Sequence, residues 1–264
     1  MAARPRLSVT EVVEALERLD GPALPDRKFA PLDELVSCIL SQHSNDARTY
    51  PAFAELRRRF PVWADLMAAP AAEIEQVLQP AGLAKAKTQR MRAALAEIHA
   101  RVGDYNIDLL DSMKDAQALS WLESLPGVGP KTAAVTLAFA FGRDVLPVDT
   151  HVYRVARRLG WIPERVNEAK SHAVLGKKIP MGMALRAHLA LIRHGRIRCS
   201  ARNPKCSECP LIAGCKWAQE HQIGYHHSAS ASPKRRSSRM NPPATASTID
   251  SAQKLMCFAA CPYG

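Results

Sequence analysis

No stretch of the 264 residues approaches the roughly 20 consecutive apolar positions needed to cross a bilayer. The opening, Met1 to Leu7, is too polar and too Pro-broken to be the apolar core of a secretory signal. The expectation is a cytoplasmic protein with no membrane partner. Strand-like alternation of apolar and polar residues is scarce, which argues against a sheet-built fold. Acidic residues are in deficit, with 25 Asp+Glu against 36 Lys+Arg and a net charge of +11. Such an excess favours polyanionic partners, although charge alone does not separate DNA from RNA or anionic lipid.

What is present is helical patterning over a chain that is 47% hydrophobic, enough to bury one substantial core or two modest ones. Ser8 with Glu11 reads as a capping box opening a helix through Leu19, closed by the breaker Asp20-Gly21-Pro22. Apolar residues recur at helical spacing in Leu35 to Leu40, Phe53 to Phe60, Ile74 to Leu78 and Ala86 to Val102. A short amphipathic helix from Ala116 to Leu125 runs into Pro126-Gly127-Val128-Gly129, and a second begins at Pro130 and reaches Phe141. Further helices follow Asp149, to about Leu159, and span Met183 to His194. The expected class is all-α.

From His226 onward the chain turns rich in Ser, Ala and Pro and loses the apolar periodicity that offsets ordering entropy. Residues 226–264 are therefore expected to be a disordered basic tail. Its five Lys/Arg against one Asp contribute +4, so 11 − 4 = +7 stays with the rest of the chain.

Two motifs carry chemistry. In Leu125-Pro126-Gly127-Val128-Gly129-Pro130-Lys131 the glycines permit positive φ and a close approach, so that backbone amides can face a phosphate. Pro130 suits the first turn of a helix whose N-terminus adds partial positive charge. An isolated Gly-x-Gly more often makes only a tight turn. Cys199, Cys206, Cys209 and Cys215 are separated by six, two and five residues, a compact set suited to one metal centre. On chemistry alone, four thiolates suit tetrahedral zinc as well as an iron–sulfur cluster. Four of the seven cysteines falling in this cluster point to a ligand set in a reducing compartment rather than a disulfide framework. Cys38 reads as a core thiol, and Cys257 and Cys261 carry no readable role.

The hairpin, together with Lys131-Thr132-Ala133, Val148-Asp149-Thr150-His151, His194-Gly195-Arg196 and the cysteine spacing, resembles the endonuclease III family of helix-hairpin-helix DNA glycosylases and abasic-site lyases. The resemblance runs from about Leu32 to Trp217. It implies two helical lobes: residues 28–146, holding the hairpin unit at about 116–141, and residues 1–27 plus 147–225, holding the cysteine loop at 199–215. The cluster implied is [4Fe-4S], and the partner implied is double-stranded DNA bearing damaged bases or abasic sites, bound by a monomer.

The same resemblance gives the site residues their roles. Lys131 matches the lysine that attacks C1′ and forms a Schiff base. Without the resemblance, a first-turn lysine could equally be a point charge on phosphate. Asp149 reads from sequence as the N-cap of the helix after it, and matches the family's essential carboxylate. Gly127, Val128 and Gly129 would grip the DNA backbone, and Arg202 and Lys205 would add positive charge beside the cysteines, along with Arg196 and Arg198. Gln42 and His43 both stand where the family inserts a residue near the orphaned base, and Leu83 resembles a second wedge. For each of these three, a helix end or simple packing is the plainer reading. The function implied is removal of oxidised or ring-saturated pyrimidines with strand cleavage. The alternatives are a monofunctional mismatch glycosylase, whose relatives typically lack a lysine at this position, and a non-catalytic DNA-binding module.

Overall fold

The structure, a computed structural model, describes residues 6–22, 25, 29–44 and 46–223. The stretch 226–264, with Cys257 and Cys261, lies outside the described residues. Among the described residues the regular elements are all helical, with no strand. The α-helices are α1 (Val9–Asp20), α2 (Pro31–Ser41), α3 (Asp46–Arg59), α4 (Trp63–Ala68), α5 (Ala71–Leu78), α6 (Ala84–Val102), α7 (Asp115–Glu123), α8 (Pro130–Ala140), α9 (Thr150–Arg158), α10 (Glu168–Gly176), α11 (Ala184–Ile197) and α12 (Lys216–Glu220).

Two buried apolar clusters make two lobes. One gathers side chains from Leu32 to Leu137, and the other joins Val9, Val12, Val13 and Leu16 to residues from Leu146 to Leu211. The N-terminal helix thus completes the C-terminal half. The reason lies in α1: the Ser8–Glu11 capping box starts the helix, with the Glu11 carboxylate accepting from the Ser8 amide at 2.7 Å. The apolar stripe that follows packs on α11. Each such aliphatic side chain withdrawn from water contributes about 1.5–3 kcal/mol. Ion pairs from Arg186 to Glu17 (2.6 Å) and from Arg198 to Asp20 (2.7 Å) fix the angle of approach.

The helix α8 joins the lobes. It packs against α2, α7 and α11, and every residue from Thr132 to Ala138 is buried. Ala133, Ala134 and Ala138 keep its girth small enough for neighbours to close in around it. After it the chain crosses between lobes, with Leu146 and Val148 already buried in the second cluster.

The helix α10 has no counterpart in the sequence reading, because Glu168–Gly176 has few large apolar residues at helical spacing. A local signal was nonetheless there: the Asn167 side chain accepts from the Lys170 amide at 3.0 Å as an N-cap.

Candidate active site and iron–sulfur centre

The hairpin forms because its two apolar residues are anchored while its glycines stay outside. Leu125 and Val128 are buried, and Pro126, Gly127 and Gly129 are exposed. The Val128 side chain is therefore part of the core, and only its backbone can meet a ligand. Gly127 has φ +77°, where other residues are strained. Gly129 differs, since its φ is −105° and a Cβ built on it would meet nothing within 4 Å. Packing does not demand a glycine at 129, where the space is open. Pro130 opens α8 at its first position, and Lys131 follows, half-buried.

Asp149 is 3% exposed and caps α9: one carboxylate oxygen, Oδ1, accepts from the Val152 amide at 2.7 Å. The other, Oδ2, is buried with no hydrogen-bond partner. The charges of Asp149 and Lys131 both act on two further residues, His188 of α11 and Glu168 of α10. His188 is fully buried, and burial pushes its pKa down to about 4 against the opposing pull of Asp149. Its Nδ1 donates to the Pro147 carbonyl at 2.9 Å, which leaves Nε2 as a bare acceptor with no partner. The Glu168 carboxyl is pushed up by burial and by Asp149, with Lys131 opposing. A buried carboxylate oxygen without a partner suits charge that develops only on reaction. Sequence reasoning missed both His188 and Glu168. A lone histidine on an apolar helix face gives no sign of what lies opposite it.

The base-facing residues sort differently from their sequence order. The Gln42 side chain donates to the Gly127 carbonyl at 2.9 Å and reaches the Thr132 hydroxyl at 3.4 Å, so it is engaged with the hairpin. His43 is exposed with φ +55°. Leu83 is 59% exposed with φ +53°.

The four cysteines, all half-buried, border one cavity lined also by Val155, Leu159, His194 and Leu211. Burial pushes the Cys209 thiol up to about 11, and Cys199, Cys206 and Cys215 each push it in the same direction. Such a set holds thiolates only when iron or another cation neutralises them. Four thiols lining one cavity are a donor set for a thiophilic metal centre. The donors fit a cluster that fills the cavity between them. Arg158 clasps the loop, donating to the Cys199 thiol (3.1 Å) and to the carbonyls of Ser200 (2.7 Å) and Ala201 (2.9 Å), with its guanidinium over Trp217. Arg202 and Lys205 are exposed on this loop. Arg198, also expected to face phosphate, is instead turned inward to Asp20. Cys38 is buried and in reach of Glu34.

Residues 36–181 match the HhH-GPD superfamily of base excision DNA repair proteins, and residues 199–215 match the iron–sulfur binding domain of endonuclease III. The chain belongs to the endonuclease III family. It is 31% identical over 190 residues to the endonuclease III of Bacillus subtilis, covering 72% of this chain and 83% of that one. It is equally identical over 190 residues to a protein of Arabidopsis thaliana named as a DNA glycosylase, covering 69% of this chain and 65% of that one. The structure of an endonuclease III trapped as a covalent intermediate with DNA superposes with a TM-score of 0.69 at 26% identity, covering 82% of this chain and 99% of that one. In this family setting the cofactor is the [4Fe-4S] cluster, and Cys199, Cys206, Cys209 and Cys215 all lie in the matched segment. No helix among the described residues is long and apolar enough to cross a membrane.

Proposed function

We propose that this DNA glycosylase is bifunctional, releasing oxidised or ring-saturated pyrimidines from duplex DNA and then cutting the strand 3′ to the abasic site. The reading is supported by Lys131 and Asp149 both acting electrostatically on His188 and Glu168, and by the Asp149 oxygen that is buried without a hydrogen-bond partner. The neutral amine of Lys131 attacks C1′ of a flipped nucleotide. The C–N bond to the base breaks, and the base departs with the electron pair and takes up a proton. The Asp149 carboxylate stabilises the positive charge that builds on the sugar and then accepts a proton from the attacking nitrogen. Ring opening leaves an iminium at C1′. Loss of a proton from C2′ expels the 3′ phosphate, and water later frees the lysine.

The remaining roles follow the same reading. The backbone of Gly127 to Gly129 grips phosphate at the N-terminus of α8. Leu83 and, of the two candidates in its loop, the exposed His43 enter the space left by the flipped base. When bound, the cluster braces the loop that carries Arg202 and Lys205 toward phosphate. The lobes divide as residues 28–146 and 1–27 plus 147–225, and the enzyme works as a monomer wherever DNA lies, the nucleoid in a prokaryote.

Borohydride trapping on duplexes bearing thymine glycol or an abasic site tests this. The parent is expected to form a covalent adduct that Lys131→Ala abolishes. Base release without trapping or strand cleavage would make the enzyme monofunctional, and DNA binding with neither would make it a binding module.

A further inference from the structure

Lys87 is 1% exposed, an extreme for a residue whose charge normally keeps it in water. Among the described residues it has no carboxylate partner, and its ammonium donates to the backbone carbonyl of Ala81 at 2.8 Å. Burial pushes its pKa down. Nothing in the chemistry ascribed to Lys131 and Asp149 uses it.

The carbonyl it holds is shared. The Ser44 hydroxyl also donates to Ala81 O, at 2.7 Å, and itself accepts from the Thr49 hydroxyl at 3.0 Å. The chain turns sharply just after this carbonyl, with Gly82 at φ +70° and Leu83 at φ +53°, the latter a left-handed conformation that leucine rarely adopts. Lys87 holds the turn a second time, because its backbone amide donates to Leu83 O at 2.9 Å. The loop that supplies Ser44 is tied at its other end as well, through Gln42 to the hairpin carbonyl of Gly127. His43, exposed and left-handed, sits between those two ties. The hairpin, the 42–44 loop and the 81–83 turn are thus linked by three side chains that end on two carbonyls.

We propose that Lys87, with Ser44 and Gln42, braces these three segments into one unit, and that Lys87 is the positioning residue that holds Leu83 poised to enter the duplex. The proposal rests on the reading of Leu83 as the wedge. A methionine in place of Lys87 keeps the length and apolar stem but cannot donate, so Ala81 O keeps Ser44 alone and the strained turn is free to relax. Chemistry at Lys131 on a strand that needs no wedge would continue.

The test uses the full chain with its cluster and a duplex carrying 2-aminopurine next to an uncleavable tetrahydrofuran abasic analogue, so that wedge entry is read as a fluorescence gain on binding. In Lys87→Met the gain is expected to fall about fivefold and trapping on damaged duplex about tenfold, while trapping on a single-stranded abasic oligonucleotide stays within about twofold. Ser44→Ala, which should fold whatever Lys87→Met does, is expected to move the duplex readouts the same way by a smaller factor. The double variant should be worse than Lys87→Met, because Ala81 O then loses both side-chain donors. An unchanged fluorescence gain in both single variants, or a parallel loss on single and double strands, overturns the proposal. Repeating the fluorescence arm in Lys131→Ala separates the two readings: a gain that still depends on Lys87 upholds the brace even if no DNA is ever trapped.

Discussion

One oxygen of Asp149 is bound to the amide of Val152 at 2.7 Å and the other, equally buried, is bound to nothing. The residue thus starts a helix and keeps a free acceptor in the cleft, and substitution separates the two tasks. Asparagine is as good an N-cap as aspartate, so Asp149→Asn should melt within a few degrees of the parent while base release falls at least about a hundredfold. Asp149→Ala should lose the same activity and about 1 kcal/mol of stability besides. Thermal melts beside single-turnover rates check both, and an active Asn variant would remove Asp149 from the mechanism.

The hairpin glycines should respond differently to the same change. At Gly129 an alanine Cβ enters open space on an ordinary backbone, so Gly129→Ala should fold as the parent does. Its affinity for duplex should drop about tenfold as the phosphate is held off the amides. Gly127→Ala must hold φ +77° and should lose about 1–2 kcal/mol of stability as well. Denaturant midpoints and DNA titrations at fixed salt distinguish them.

His188 gives stability a pH dependence of known sign. Its pKa in the folded protein is near 4, below the ordinary value of 6.5. Between those values the unfolded chain binds a proton that the native protein does not. Stability from this residue is complete above about pH 6.5 and falls by up to about 1.4 kcal/mol per pH unit as pH drops toward 4. His188→Gln should flatten the decline in denaturant midpoint between pH 7 and pH 5, and an unchanged slope would contradict the burial argument.

Arg158 should govern how firmly the cysteine loop keeps its cofactor. Arg158→Met keeps a stem to lie against Trp217 but removes the donors to the Cys199 thiol and to the Ser200 and Ala201 carbonyls. Purified protein should carry less visible absorbance per chain and lose it faster to a chelator, about tenfold in rate. Equal loading and loss rates would show the clasp to be incidental.

Much of the site was legible in the residues because its parts are local. The Ser8–Glu11 cap and the Gly-Val-Gly hairpin are each written within a few consecutive positions, and the four cysteines within the one segment 199–215 that lines a single cavity. What was not legible depends on packing between distant segments. His188 on α11 and Glu168 on α10 feel the charge of Asp149 only through the way the helices pack. The burial of Lys87 is invisible in a helix whose pattern otherwise marks lysine as a surface residue. What sets Gln42 apart from His43 is one hydrogen bond to a carbonyl 85 positions away.

The helix α8, enclosed by its neighbours along nearly its whole length, fixes where the backbone of Lys131 stands. Whatever reacts with that residue must make the journey to it. On the proposed mechanism, discrimination among lesions rests first on how willingly each nucleotide abandons its stack.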